Sequence, residues 1–349
     1  MKILYLFQNS CEETYKKILV GELPSNHLFG FVELIKLGYN VSLKDGQPKG
    51  ILHKITDYLN KRFNFNLKDL KTLYDLKNYD FIVVKGPFST IITITCRFFR
   101  KKVVYIDPIT RFPQSYLRKF LFRINLNLAD GTVVFTKTQF EFIAKTHRIN
   151  NERLKFIPFC LDIDFFKPIN NIKRYSKPFI LSIGVDLGRD YDTLIKSIDG
   201  LNIDLKIVTL PYLLNDISSN KPNIEVFYKI PYKQLFELYS ESLFVIIPLK
   251  KWTYQYPSGI TNLLEAKLLG KAVISTFSKP LEEYLEHGNG IYYVDAENVA
   301  SLHQAINKFL LHPEFCATIQ KKGIDAVATK YNMSIFADLF AAYLNSKQG

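Results

Sequence analysis

The sequence has no long hydrophobic run. Nowhere does an apolar stretch approach the roughly 18 residues that a bilayer-crossing helix requires, which argues against a spanning helix. The opening run, residues 1–9, is too short in apolar residues for a secretory signal and is expected to form a buried first strand. Cysteine is scarce. Cys11, Cys96, Cys160 and Cys316 stand far apart, so no pair has metal-site or redox-motif spacing. They are expected to be buried thiols of a protein in the reducing cytoplasm. Low-complexity segments and short repeats are missing too. Acid is in short supply, but only in one half. Residues 1–170 hold 27 Lys and Arg against 15 Asp and Glu, a net +12, whereas residues 171–349 hold 19 against 18, a net +1. Such asymmetry points to an anionic partner for the first half: a phosphorylated acceptor, an anionic membrane surface or nucleic acid. Nucleic acid rests on charge alone and is not expected.

What is present reads as two α/β domains. A length of 349 residues is too great for one ordinary core, and 47% hydrophobic content is that of a globular protein. In the first half, Ile3–Phe7, Tyr39–Leu43, Phe81–Val84, Val103–Ile106 and Gly131–Phe135 are strand-like, several being unbroken β-branched runs of the kind covered on both faces. His27–Leu37 has helical spacing and ends at Gly38, and another helix is expected from Gln139. Phe159 to Pro178 has no clear period and reads as a linker. The alternation then restarts with strands at Phe179–Ile183, Asp204–Val208, Ile224–Phe227, Leu243–Ile247 and Ala272–Ser275. Helices are expected at Tyr191–Ile198, Tyr232–Tyr239 and Ile260–Leu269, with an amphipathic helix from Tyr331 to Leu344. The expected fold is two Rossmann-like, doubly wound domains facing a cleft: residues 1–165, residues 166–330, and a C-terminal helix (331–349) packing back toward the first domain. Ligands of such sheets sit beyond the carboxyl ends of the strands.

Two segments carry candidate chemistry. In the first, Pro257, Ser258 and Gly259 precede a helix beginning at Ile260 and Thr261, whose free N–H groups and positive dipole end suit a diphosphate. Glu265 lies one turn in, placed to accept hydrogen bonds from two ribose hydroxyls. In the second, Leu181–Ile183 is a strand, Gly184 a turn, and a helix opens near Arg189 and Asp190. A cation at the positive end of a helix is mildly unfavourable unless an anion joins it.

Leu264-Glu265-Ala266 and Gly270-Lys271-Ala272-Val273-Ile274 resemble the family 4-like glycosyltransferases of the GT-B fold. That family usually carries a second glutamate eight residues before the first; here Pro257 stands there, as in a subgroup lacking that acid. The resemblance also implies that Gly184 and Arg189 hold the diphosphate. Val185 replaces the family's arginine, and Lys250 or Lys251 is a candidate substitute. Further matches are Phe156–Pro168, resembling the interdomain connector; Val226–Leu235, resembling a segment that contacts the base near Lys229 and Ile230; and His287–Gly290, resembling the turn before the last strand. By resemblance the chain is a retaining, metal-independent glycosyltransferase. Its donor is a nucleoside-diphosphate sugar, it has no cofactor, and its acceptor is a glycan or lipid-linked glycan. Departing diphosphate charge would be stabilised by Arg189 and the helix end.

Other positions carry two readings each. Asp107 follows a strand, where the family often has a histidine facing the reaction centre; the plain alternative is a turn residue before Pro108. His27 follows the loop from Gly21 to Asn26 and either faces the cleft or caps a helix. Asp162-Ile163-Asp164 has the form of a metal-binding pair, but among Phe and Pro anchors it reads as connector. From Tyr116 to Ile124, Arg118, Lys119 and Arg123 flank Phe120, Leu121 and Ile124 at helical spacing, as in interfacial helices; an ordinary surface helix has the same pattern. Peripheral attachment at the inner face of the membrane follows from the first reading. The rivals to transfer are a non-catalytic binding or scaffolding protein, which Pro257 and Val185 would suit, and a sugar-nucleotide epimerase.

Overall fold

A computed structural model describes residues 1–7, 10–45, 54–55, 58, 70–86, 88–108, 116–147, 149–167, 175–214 and 221–348. Two compact units divide the chain: Met1–Pro158 with Met333–Gly349, and Phe159–Asn332.

The first unit begins with β1 (Lys2–Phe7), α1 (Cys11–Leu19), α2 (Phe31–Lys36) and β2 (Asn40–Lys44). It continues through α3 (Leu70–Asp75), β3 (Phe81–Lys85), α4 (Thr90–Phe98), β4 (Lys102–Ile106), α5 (Tyr116–Leu128), β5 (Gly131–Val134), α6 (Lys137–His147) and β6 (Leu154–Phe156). The six strands form one parallel sheet in the order β2-β1-β3-β4-β5-β6. Ile3 to Leu6, Ile82 to Val84 and Val103 to Ile106 are wholly buried, as expected of parallel strands covered by helices on both faces.

The second unit contains β7 (Phe179–Ile183), α7 (Tyr191–Ser197), β8 (Asp204–Thr209), β9 (Ile224–Tyr228), α8 (Tyr232–Glu241), β10 (Val245–Ile247) and α9 (Ile260–Leu268). β11 (Val273–Thr276), α10 (Lys279–Glu282), β12 (Ile291–Val294), α11 (Val299–Leu311), α12 (Pro313–Lys321) and α13 (Ile324–Lys330) complete it. Its sheet is parallel with the order β12-β11-β10-β7-β8-β9. The last helix, α14 (Met333–Ser346), belongs to the first unit, where Phe336, Phe340, Tyr343 and Leu344 are buried.

Each sheet reverses its strand order once. In the first the reversal falls between β1 and β3, in the second between β7 and β10. At such a point the connections leave in opposite directions and open a crevice beyond the strand ends.

The helix expected over His27–Leu37 is broken in two. A 3-10 turn spans Ser25–Leu28, then Phe29 and Gly30 adopt left-handed backbone (φ 48° and 85°) before α2 begins. Gly30 is required there, because a Cβ on it would sit 3.0 Å from the ring of Phe336 on α14. The Tyr5 hydroxyl holds the Phe29 carbonyl at 3.1 Å. All four cysteines are buried and none is in a disulfide.

Candidate functional site

At the crevice of the second sheet, the loop after β7 and the loop after β10 are laced together. Asp190 N–H donates to the Pro248 carbonyl at 3.1 Å and Lys250 N–H to the Gly188 carbonyl at 2.9 Å. Arg189 and Leu249 form an antiparallel bridge between them. Asp190 then caps α7, its side chain accepting from Thr193 N–H at 3.2 Å.

Arg189 is the centre of this arrangement and is only 3% exposed. Its Nε donates to Asp186 Oδ2 at 3.0 Å and its Nη2 to Asn262 Oδ1. Among the described residues Nη1 is buried without a partner, and it lies 3.7 Å from where a Cβ on Gly259 would be. Gly259 precedes α9 with φ 86°, and no side chain caps that helix. An unfilled guanidinium N–H thus lies beside uncapped backbone N–H groups. Both favour an anion.

Gly184 gives the guanidinium room. A Cβ there would stand 2.0 Å from Arg189 Nε, so any larger residue forces the arginine aside. Its carbonyl accepts from the Tyr191 hydroxyl at 2.8 Å and the Thr209 hydroxyl at 2.7 Å. Ser258 is buried, and its hydroxyl is already engaged, donating to Asp186 Oδ1 at 2.7 Å. Ile260 is buried in the first turn of α9 while Thr261 is exposed.

Asn262 carries the network onward to Glu265, one turn along α9 and 3% exposed. Tyr239 on α8 donates its hydroxyl to Glu265 Oε2 at 3.0 Å. Burial pushes the carboxyl up to about 7, while hydrogen bonds from Tyr239 and Asn262 and the charge of Arg189 pull it down. Asp186, Arg189, Asn262, Glu265 and Tyr239 are therefore one continuous polar chain inside the second unit.

The remaining expected donor residues lie around it. Lys229 follows β9 with left-handed backbone, φ 52°, and is exposed; Ile230 is half-buried beside it. A non-glycine residue in that region carries strain of the kind found at functional loops. Lys251 is exposed, and its backbone N–H donates to Glu297 Oε1 at 3.0 Å. Lys271 serves the fold instead: its Nζ donates to the carbonyls of Ser240 and Ser242 at 2.6 and 2.8 Å, at the end of α8.

The acceptor-side candidates sit in the first unit, at the crevice of its own sheet. Phe7 at the end of β1 and Ser10 and Cys11 after it, with Thr14, His27, Phe29, Lys85 and Gly86, line a cavity of about 280 Å³. His27 is exposed, yet desolvation by the surrounding protein still lowers its pKa. Asp107 is not among the lining residues. Its carboxylate accepts from Lys85 Nζ at 3.1 Å and Gln139 Nε2 at 3.0 Å, on backbone with φ 40°. Lys85 joins the two: it lines the cavity, pairs with Asp107, and lies 4.4 Å from the centre of the Phe29 ring. Glu265, Gly184, Arg189 and Ser258 thus come together, whereas His27 and Asp107 are linked through Lys85.

Sequence reasoning missed Asp186, Tyr239 and Lys85. Lys85 had a signal, directly following the buried run Phe81–Val84. Asp162 turns its carboxylate onto the local backbone, accepting from Phe165 N–H at 3.3 Å, and Asp164 pairs with Lys167 at 3.1 Å. Among the described residues no group of three His, Cys, Asp or Glu side chains is placed to hold a metal ion. Pro168, the end of the expected connector, lies outside the described residues, as does the side chain of Arg118.

Residues 213–326 match the family described as Glycosyl transferases group 1. The match includes α9 with Glu265; the Gly184 to Asp190 loop falls outside it. No curated protein matches the chain in sequence. Among solved structures, a glycosyltransferase from Rickettsia africae ESF-5 is 13% identical with a TM-score of 0.73, over 100% of this chain and 99% of that one. Sucrose-phosphate synthase from Thermosynechococcus elongatus is 15% identical with a TM-score of 0.71, over 99% of each chain. Anabaena Alr3699/HepE in complex with UDP and glucose is 16% identical with a TM-score of 0.70, over 99% of this chain and 100% of that one. At these identities the likeness is one of fold. The two parallel six-stranded sheets with flanking helices match the GT-B glycosyltransferase architecture.

Proposed function

We propose that this chain is a glycosyltransferase that takes a sugar from a nucleoside-diphosphate donor held in the second unit. The observation that carries the reading is the buried, half-satisfied Arg189 beside the uncapped start of α9. A diphosphate set there fills the open Nη1 and the helix N–H groups, and the charge it gains on leaving meets a preformed positive environment. Arg189 is held in place by Asp186 and Asn262 and needs no rearrangement to act. Glu265 takes the ribose hydroxyls when ionised, and Lys229 and Ile230 border the base. The family match over residues 213–326 and the UDP and glucose bound by the HepE protein support this assignment.

The finer points are proposed with it. Pro257 supports membership of a subgroup without the first glutamate, and the resemblance implies retention at the anomeric carbon. Diphosphate charge is met by Arg189 and backbone dipoles rather than by a resident metal. The acceptor is a glycan or lipid-linked glycan engaged by the first unit, where His27, Lys85 and Asp107 border the strand ends. That unit also meets an anionic membrane surface. Ile94 and Phe98 on α4 and Tyr116 and Phe120 on α5 are exposed, with Lys119 and Arg123 exposed on α5, so apolar and cationic side chains share the surface of neighbouring helices.

Calorimetry with UDP, GDP and ADP tests the donor site. Glu265→Ala is expected to cost about 1.5–3 kcal/mol of nucleotide affinity, the usual worth of hydrogen bonds to a charged group. Unchanged affinity in a folded variant removes Glu265 from the site. Incubation with a panel of sugar nucleotides, with and without glycan acceptors, separates transfer from epimerisation and from binding alone.

A further inference from the structure

We propose that Trp252 is the platform on which the glycosyl group of the donor stacks. The inference rests on the donor-site reading above and names the residue that reads the sugar.

Trp252 belongs to a 3-10 turn, Lys251–Gln255, between β10 and α9. The turn is tied down from every side. Thr253 N–H and its hydroxyl both meet the Lys250 carbonyl, at 2.9 and 2.7 Å. Tyr256 N–H donates to the Thr253 carbonyl at 2.8 Å. Lys250 is bonded to Gly188, and Lys251 to Glu297.

Thr253 is buried against the diphosphate loop: its Cγ2 lies 2.6 Å from where a Cβ on Gly188 would be. The neighbouring residue does the opposite. Trp252 is 54% exposed, its ring 5.9 Å from that of Tyr256. Val185 and Tyr212 are exposed as well, on the loops after β7 and β8, and the Tyr212 hydroxyl donates to the Val185 carbonyl at 3.4 Å. One surface aromatic alone is ordinary. Here a large ring is displayed on a hydrogen-bonded turn, next to the residue that packs on the proposed anion site.

Direction along the sheet singles out the sugar. Glu265 faces α8, the helix after β9, and Lys229 and Ile230 follow β9 itself. A nucleoside bound to them runs toward the β9 edge. The group beyond the diphosphate then falls on the opposite side of β7, the side of β10 and of the turn that follows it. Pro257 supplies no carboxylate to the sugar there. A flat ring does offer a face for the C–H side of a pyranose, with hydroxyls left to other partners.

Trp252 is the chain's single tryptophan, so its emission reports on this spot alone. Calorimetry first finds which of UDP, GDP and ADP binds the full-length protein. Emission is then compared between that nucleotide and its sugar conjugates, such as UDP-glucose, UDP-N-acetylglucosamine and GDP-mannose. The matching sugar nucleotide is expected to quench or blue-shift the emission where the bare nucleotide leaves it nearly unchanged. Trp252→Ala is expected to weaken the sugar nucleotide on the order of 10-fold, as baring one apolar face does, with the bare nucleotide within about twofold. Trp252→Phe should keep most of the affinity. Equal emission changes for both ligands, or an alanine variant that loses both alike or neither, overturn the assignment of Trp252 and leave the donor site standing. If no nucleotide binds, the donor-site reading falls and this inference with it.

Discussion

Replacing Glu265 by glutamine should stabilise the protein at pH 8 and leave its stability at pH 5 nearly unchanged. The carboxyl is raised from 4.5 to about 7 because it is buried. Between those values the folded protein holds a proton that the unfolded chain has released, so stability falls as pH rises through the window. Above it, the folded state carries a buried carboxylate with only partial compensation. At about 1.4 kcal/mol per pH unit, the interval comes to about 3 kcal/mol. Glutamine is neutral at every pH and keeps an oxygen for the Tyr239 hydroxyl, so it escapes this cost. For a unit of this size about 2–4 °C accompanies each kcal/mol, which places the gain near 6–12 °C in Tm at pH 8. Scanning calorimetry of both proteins at pH 5 and pH 8 reads it, following the transition that responds to the substitution. A difference that is the same at both pH values, or a glutamine variant less stable at pH 8, would refute the burial argument. The same variant should bind nucleotide more weakly, since ribose hydroxyls donate best to an ionised carboxylate. In the native protein, nucleotide affinity should rise from pH 5 to pH 8.

Gly184→Ala should destabilise the second unit by about 1–3 kcal/mol, the usual cost of overpacking, and weaken nucleotide binding as Arg189 is displaced; denaturation and calorimetry measure the two. Phe340→Ala, removing a fully buried ring from α14, should cost the first unit about 3–5 kcal/mol with nucleotide affinity unchanged. Vesicles containing anionic lipid should co-sediment the protein at low salt and release it as salt rises. Charge reversal of Lys119 and Arg123, or Phe98→Ser with Phe120→Ser, should weaken that binding without touching nucleotide affinity. Indifference to anionic vesicles at low salt would assign the basic half to a soluble partner.

Much of this architecture was legible in the sequence, for physical reasons. Runs such as Phe81–Val84 and Val103–Ile106 have no polar face, and only a strand covered on both sides tolerates that. The turn at Gly184 and the helix start at Ile260 were visible because glycine and polar residues gather just after such runs. The helix over His27–Leu37 was misread because the break at Phe29 and Gly30 answers to Phe336, on a helix no local window contains. The setting of Arg189 was hidden for the same reason. Its hydrogen-bond partners are Asp186, three residues back, and Asn262, far along the chain. Sequence alone suggested an arginine waiting for an anion; the fold shows one already anchored on two sides, with its Nη1 left open.

The return of α14 to the first unit has a consequence for how the protein is made. Tyr5 meets the Phe340 ring edge-on at 6.5 Å, and Gly131 must lack a side chain because the Tyr343 hydroxyl lies 2.1 Å from its would-be Cβ. These contacts join β1 to a helix that follows it only after the whole of the second unit. On the ribosome, residues 1–158 therefore emerge with one wall of their core still untranslated, while Phe159–Asn332 is a continuous stretch able to fold as soon as it clears the exit tunnel. The first unit is therefore closed only after the second has been made, and until α14 arrives the Tyr5 surface that it covers stays open.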